Sequence, residues 1–224
     1  VGYGAFAPES FEAVTSNIKN FVASSFGWYY MLLMSFMLAL SVFFILRPYG
    51  QIRLGKATDR PQFSTVTWIA MLFSAGMGIG LVFYGAAEPL SHFAINPATE
   101  DPNTAAAFKE SLRQTNFHWG FHVWAMYGII ALSLAFFQFR KDQPGLISAT
   151  LKPIFGKKME GPWGILVDVL AVFATAFGVA TSLGIGAVQI NDGLNHLVGS
   201  EIGITSRFFI VAVVTVLFIA SSWS

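Results

Sequence analysis

GMGIGLVFYGAAEP, residues 76–89, lies inside a long apolar stretch that begins at Phe63. A helix that crosses a membrane needs about 20 apolar residues in succession, and the uncharged run from Phe63 to Ala87 is long enough. Yet Gly76, Gly78 and Gly80 fall within five residues of that run. Each interior glycine weakens a helix by about 1 kcal/mol relative to alanine. Two readings follow. Gly76 and Gly80 are four apart and can admit a close neighbouring helix, although Gly78 lies on a different face. Alternatively, the three together let the helix come apart locally. An unwound backbone in lipid must be buried in protein or line a polar cavity, because its carbonyls need partners. Freed carbonyls at mid-membrane suit a cation, and N–H groups at the start of a second half-helix suit a carboxylate. On this reading the main chain around Met77 makes a binding site. A dinucleotide fingerprint is excluded, because the spacing is GxGxG and no strand–helix unit surrounds it. Glu88-Pro89 closes the span, with proline expected to end the helix.

The rest of the chain reads as membrane protein too. Of its 224 residues 54% are hydrophobic and only 11% charged, where a soluble domain is roughly a quarter charged. A net charge of +1 gives no electrostatic footprint for nucleic acid. Cysteine is absent, which excludes a disulfide framework and thiolate metal sites. The chain starts at Val1 and stops at Ser224 within an apolar run, and is read as a piece of a longer protein or a processed one. A single all-α membrane domain over 1–224 is expected, with spans at about 26–46, 63–87, 119–139, 163–190 and 208–224. A 21-residue helix such as the first is roughly 31 Å long, enough to cross the hydrocarbon layer.

Lysine and arginine set the orientation. Arg47, Arg53, Lys56 and Arg60 follow the first span, and Arg140, Lys141, Lys152, Lys157 and Lys158 follow the third. These two loops lie on one side, expected to be cytoplasmic. On the other side Lys19, Lys109, Arg113 and Arg207 sit among Glu9, Glu12, Glu88, Glu100, Asp101, Glu110, Asp192 and Glu201. Val1 is therefore outside, which implies a missing upstream helix. The outer loop from Asn96 opens with Asn-Pro and Asp-Pro turn signals, and Thr104 to Arg113 reads as a short amphipathic helix. Ser200 to Ser206 is a polar outer connection.

The third span opens NFHWGFHVWAMYG, residues 116–128. Trp119 suits an interfacial belt. Tyr127, eight residues on, is about 12 Å deeper, too deep for a simple belt. Trp124 and Tyr127 are three apart and share a face. Such a face can hold a quaternary ammonium by cation–π attraction, worth roughly 2 kcal/mol or more when desolvated. The second and third spans carry no internal carboxylate, so π-faces would replace a counter-ion. His118 and His122 have the spacing of a metal pair but no third ligand beside them in the sequence. In the fourth span, Thr175, Thr181 and Ser182 can bond their own helix carbonyls or help to bind an ion, and Gly178, Gly184 and Gly186 allow close helix approach. Asp168, near the cytoplasmic end, is expected to cap or to pair with a loop cation.

GMGIGLVFYGAAEPL (76–90), FHWGFHVWAMYG (117–128) and ATAFGVATSLGIGAVQI (174–190) together resemble the betaine/choline/carnitine transporter family. FGWYYMLL (26–33) and RPYGQIRLGK (47–56) are similar as well. The resemblance implies the second to sixth spans of a twelve-span protein. Its fold is a leucine-transporter-like inverted-repeat bundle, of which a part with the glycine-broken helix would be present. It implies no enzymatic activity, but secondary active uptake of trimethylammonium osmolytes (glycine betaine, choline or carnitine) across the bacterial inner membrane by alternating access. The coupling ion would be sodium, with proton coupling or exchange as alternatives, and a helical channel whose glycines only pack as the rival from outside the class. By motif match, Gly76, Met77, Gly78 and Gly80 would meet substrate through main chain, and Met77 also sodium. Trp119, Trp124 and Tyr127 match aromatic positions of the substrate pathway. Thr175 matches one of two threonines linked to sodium, and Val179 replaces the second. The family's tryptophan-rich helix has no counterpart in these residues. A homotrimer is implied as well.

Overall fold

The computed structural model describes residues 2–95, 97–98, 100–199 and 203–223, and these are helical with turns between, with no strand among them. Asn96 of the first turn signal, and Ser200 and Glu201 of the outer connection, lie outside the described residues, as do Val1 and Ser224. Four helical stretches are long and apolar enough to cross a membrane: Pro8–Leu46, Ala105–Arg140, Pro162–Val198 and Thr205–Trp223. Thr65–Ser74 is apolar but shorter. The chain divides into two compact units, one of Val1–Arg53 with Phe117–Ser133, the other of Leu54–Asn116 with Leu134–Ser224.

The first unit holds α1 (Gly2–Phe6), α2 (Pro8–Leu46) and most of α6 (Phe121–Ala135). α2 starts earlier than the expected span at Phe26, because nothing between the two points breaks a helix and Pro8 stands at the first turn, where its missing N–H costs nothing. It stops where Pro48 forces the preceding residue out of helical dihedrals; Arg47 is extended at φ −110°, ψ 160°. α2 buries none of its side chains within the chain, and Trp28, Leu32 and Phe36 are all exposed. Such a surface suits lipid and not water.

The second unit is built on α8 (Pro162–Val198), against which α4 (Ile79–Ala94), α7 (Ile147–Phe155) and α9 (Ile204–Trp223) pack. α8 is continuous for 37 residues, longer than the expected 163–190. Pro162 opens it, and Gly199 closes it in the left-handed region at φ 67°, its N–H bonded to the Asn195 carbonyl at 2.9 Å. A side chain there would be strained. α5 (Ala105–His118) covers most of the short helix expected over 104–113 and extends it. Thr104 caps it, its Oγ1 accepting the Ala107 N–H at 3.1 Å.

One expectation fails. Pro89 does not end its helix; α4 runs on to Ala94. Proline removes one donor, that to the Gly85 carbonyl, but the flanking turns are intact and carry the helix through. A Glu88–His92 pair at 3.6 Å spans the site of the proline on the same face.

The two basic loops meet, as expected of loops on one side. Lys56 Nζ lies 2.8 Å from Asp142 Oδ1, and Arg140 donates to the Gly55 carbonyl at 3.3 Å. The hydrogen bond to Asp142, then its charge, holds the Lys56 ammonium above the usual lysine value. On the alkaline side the tie therefore outlasts the pH at which a free lysine loses its proton and loosens only in stronger alkali.

Among the described residues Asp168 pairs with no cation, and of its two expected roles it takes the capping one. Its carboxylate accepts the Ser148 N–H at 2.9 Å and the Ser148 hydroxyl at 2.6 Å. Leu146, at the start of α7, has no side chain that can cap, so α8 supplies the missing acceptor from outside the helix. Asp168→Ala leaves the buried Ser148 without that acceptor. In the intact protein it is expected to lower stability by about 1–3 kcal/mol, seen as a fall in the melting temperature in detergent. Ser148→Ala keeps the main-chain bond and is expected to lower it less.

Candidate functional site

The span expected over 63–87 is two helices. α3 (Thr65–Gly76) is opened by Ser64, whose Oγ accepts the Thr67 N–H at 3.2 Å. It ends at Met77, with φ −97° and ψ 37°, whose N–H still reaches the Phe73 carbonyl at 2.8 Å. Gly78 is extended at φ −63°, ψ 164°. Its carbonyl takes the Leu81 and Val82 N–H groups at 3.0 and 3.3 Å, which starts α4. Only Met77 and Gly78 leave the helical track.

This short gap brings two helix ends face to face. The last carbonyls of α3 have lost their intrahelical donors, and the first N–H groups of α4 have no intrahelical acceptors. Gly78 has no side chain with which to cap them. One end is partly negative and the other partly positive, each equivalent to roughly half a charge. Oppositely charged groups can therefore be held within a few ångströms by main chain alone.

A Cβ built on Gly76, Gly78 or Gly80 meets no atom within 4 Å. Among the described residues none of the three has a neighbouring helix within that distance. The space around the break is open, and Met77 is half exposed beside it.

The aromatic segment differs in detail from the expected 119–139. Trp119 and Gly120 form a turn between α5 and α6, with the Gly120 N–H on the Phe117 carbonyl at 3.3 Å. α6 begins at Phe121 and finishes in a π-helical turn, Phe136–Arg140. The Trp119 carbonyl, released by that turn, accepts the Trp124 indole N–H at 3.0 Å. No signal in the sequence marks this bond, which depends on where the turn falls. Trp124 and Tyr127 do share a face, with ring centroids 6.3 Å apart and planes at 60°. Rings at that distance touch each other, so a cation would meet their common outer face and not the space between them. Tyr127 is 71% exposed and open to such a partner.

On α8, the Thr175 hydroxyl donates to the Ala171 carbonyl at 2.8 Å and the Thr181 hydroxyl to the Phe177 carbonyl at 2.9 Å. This is the back-bonding common to hydroxyl residues within helices. Donation leaves the oxygen lone pairs available, so Thr175 retains the capacity to ligate a cation. Val179, one turn on, has no oxygen to offer. The helix that carries Thr175 packs against α4, the half-helix that opens at Gly78.

Comparison with known proteins bears on these features together. The family model for betaine/carnitine/choline transporters matches residues 1–224. The glycine betaine transporter OpuD of Bacillus subtilis is 52% identical over 99% of this chain and 43% of its own length. A glycine betaine transporter of Acinetobacter baylyi is 44% identical over 93% of this chain and 32% of its own length. An ectoine/hydroxyectoine transporter of Virgibacillus pantothenticus is 40% identical over 98% of this chain and 44% of its own length. The chain thus spans less than half of each of these relatives. With a helix parted at Met77–Gly78, a paired aromatic face on α6 and a family match along its whole length, this chain belongs to the betaine/carnitine/choline family of transporters.

Proposed function

We propose that this chain is part of a single membrane domain that takes up glycine betaine or a related trimethylammonium osmolyte across the bacterial inner membrane by alternating access. The observation that carries the reading is the parting of α3 from α4 at Met77–Gly78 in open space. Glycine betaine is a zwitterion, and the two helix ends offer it partial charges of both signs. The N–H end of α4 suits its carboxylate. Taken by itself, the Trp124–Tyr127 face suits a methylated ammonium group, whose diffuse charge favours π-surfaces over a carboxylate. Trp119, on the turn before α6, is assigned to the same pathway. Gly76 and Gly80 flank the gap and keep it clear of side chains. The fold assigned to the intact protein is the leucine-transporter-like inverted repeat, assembled as a homotrimer.

Sodium is the proposed coupling ion. The carbonyl end of α3 at Met77 and the Thr175 hydroxyl are hard oxygen donors of the kind a small monovalent cation takes, and the half-helix ends of transporters commonly supply such sites. Val179 removes one side-chain oxygen, and this favours a weak sodium site. Proton coupling is the second reading that Val179 supports.

Three outcomes test this in the intact transporter. Replacing both Trp124 and Tyr127 with leucine should weaken betaine binding by at least tenfold, given roughly 2 kcal/mol for a desolvated cation–π contact, with membrane expression retained. Unchanged affinity would remove the aromatic face from the site. Gly78→Leu should abolish uptake of labelled betaine, whereas Gly186→Leu, within the continuous α8, should reduce it less. Equal losses would favour a packing role for both. Thr175→Val should raise the sodium concentration needed for half-maximal uptake severalfold. If uptake proves independent of sodium and follows an imposed pH gradient, the coupling assignment passes to protons.

A further inference from the structure

The basic loops carry a second candidate site, well apart in sequence from the break. The π-helical turn after α6, the loop behind it, α7 and the 3-10 turn Gly156–Glu160 line an open surface cavity of about 500 Å³. That is within the usual range for a small-molecule site, roughly 300–1,000 Å³. Lys141, Lys152 and Lys157 line it, with Glu160 as its one carboxylate. Gly156, at φ 60°, turns the chain sharply enough to bring Lys157 back to the same cavity as Lys152.

The charges do not cancel. Three ammonium groups against one carboxylate leave an excess of two positive charges. Glu160 is engaged with Lys152 at 2.8 Å. Among the described residues neither Lys141 nor Lys157 has an ion-pair partner; Lys141 lies 5.8 Å from the centre of the Phe136 ring. Phe137 and Pro153 give the same cavity an apolar wall. An occupant must therefore be anionic at one end and apolar at the other. Next to the cavity, α7 turns Ser148 and Ala149 inward and leaves Ile154 and Phe155 largely exposed, beside Lys152 and Lys157. An apolar face rimmed by lysines is the pattern of a helix lying in the membrane surface.

We infer that the Lys141–Lys152–Lys157 cavity binds the phosphate headgroup of an anionic phospholipid from the leaflet that the basic loops face. The phosphate bridges Lys141 and Lys157, and the glycerol and upper acyl chain lie along Phe137 and Pro153. Glu160 opposes the phosphate and competes with it for Lys152, so the site is tuned below its full strength. The inference rests on the reading of the chain as membrane-spanning, but not on the substrate or the coupling ion.

The experiment uses the intact transporter, purified in detergent with a defined mixture of phosphatidylglycerol and phosphatidylcholine, and native mass spectrometry to count the lipids each variant retains. Each lysine near an anionic lipid surface is worth about fivefold in affinity. Lys141→Gln with Lys157→Gln should therefore weaken phosphatidylglycerol retention roughly twentyfold, while phosphatidylcholine retention stays unchanged. Lys158→Gln, a lysine outside the cavity, should leave both unchanged. Glu160→Gln should strengthen phosphatidylglycerol retention, a gain that damaged folding does not produce. Equal retention by wild type and the double variant overturns the proposal. So does a loss with Lys158→Gln as large as that of the pair, which would make the basic surface generic. Displacement of the lipid by millimolar inorganic phosphate or glycerol phosphate overturns the lipid assignment in favour of a soluble phosphate. Betaine uptake measured on the same variants separates this outcome from failure of the transport reading, because the lipid count does not depend on uptake.

Discussion

Inside a hydrocarbon layer, every main-chain N–H and C=O must find a partner within the protein, because no water is there to supply one. Most of this chain obeys by staying helical. α2 and α8 run for 39 and 37 residues without interruption. At Met77 and Gly78 the rule is relaxed, and polar main chain stands free in a segment otherwise apolar enough for lipid. Exposed polar backbone at such a place is tolerated where it faces a cavity or a bound polar species. The gap thus supplies polar groups where no charged side chain does, since the run from Phe63 to Ala87 has none.

Glycine number alone does not part a helix. α8 carries Gly164, Gly178, Gly184, Gly186 and Gly193 and remains continuous. Its glycines are dispersed over many turns, and α4, α7 and α9 pack along it, which offsets the weakness. Between Gly76 and Gly80 three glycines act on little more than one turn, a local loss of about 3 kcal/mol relative to alanine. Their concentration sets this stretch apart from the dispersed glycines of α8. A helix held on several sides thus lies next to one that parts.

Much of this was legible in the residues. Uncharged runs located the helices, lysines and arginines put the two basic loops on one side, and the Lys56–Asp142 and Arg140–Gly55 contacts join those loops. The glycine cluster marked the break to within a residue. The misses have physical reasons. Pro89 reads as a stop because its ring removes a donor, but one lost bond does not outweigh the intact turns on either side. α2 extends beyond its apolar portion because hydropathy marks where lipid can begin and not where a helix must end. The partner of Asp168 was out of reach, because Ser148 is twenty residues away and the contact depends on how α7 packs on α8. Trp124 and Tyr127 were identifiable as sharing a face from spacing alone, whereas the carbonyl that receives the indole N–H depends on an irregular turn.

That last bond has a further consequence. Tethered to the Trp119 carbonyl, the Trp124 ring cannot swing freely about its side-chain torsions, and Tyr127 leans on a surface whose angle is already set. A guest arriving there spends little rotational entropy on arranging the walls. Any guest of this face therefore meets a host with few alternative poses with which to accommodate a poor fit.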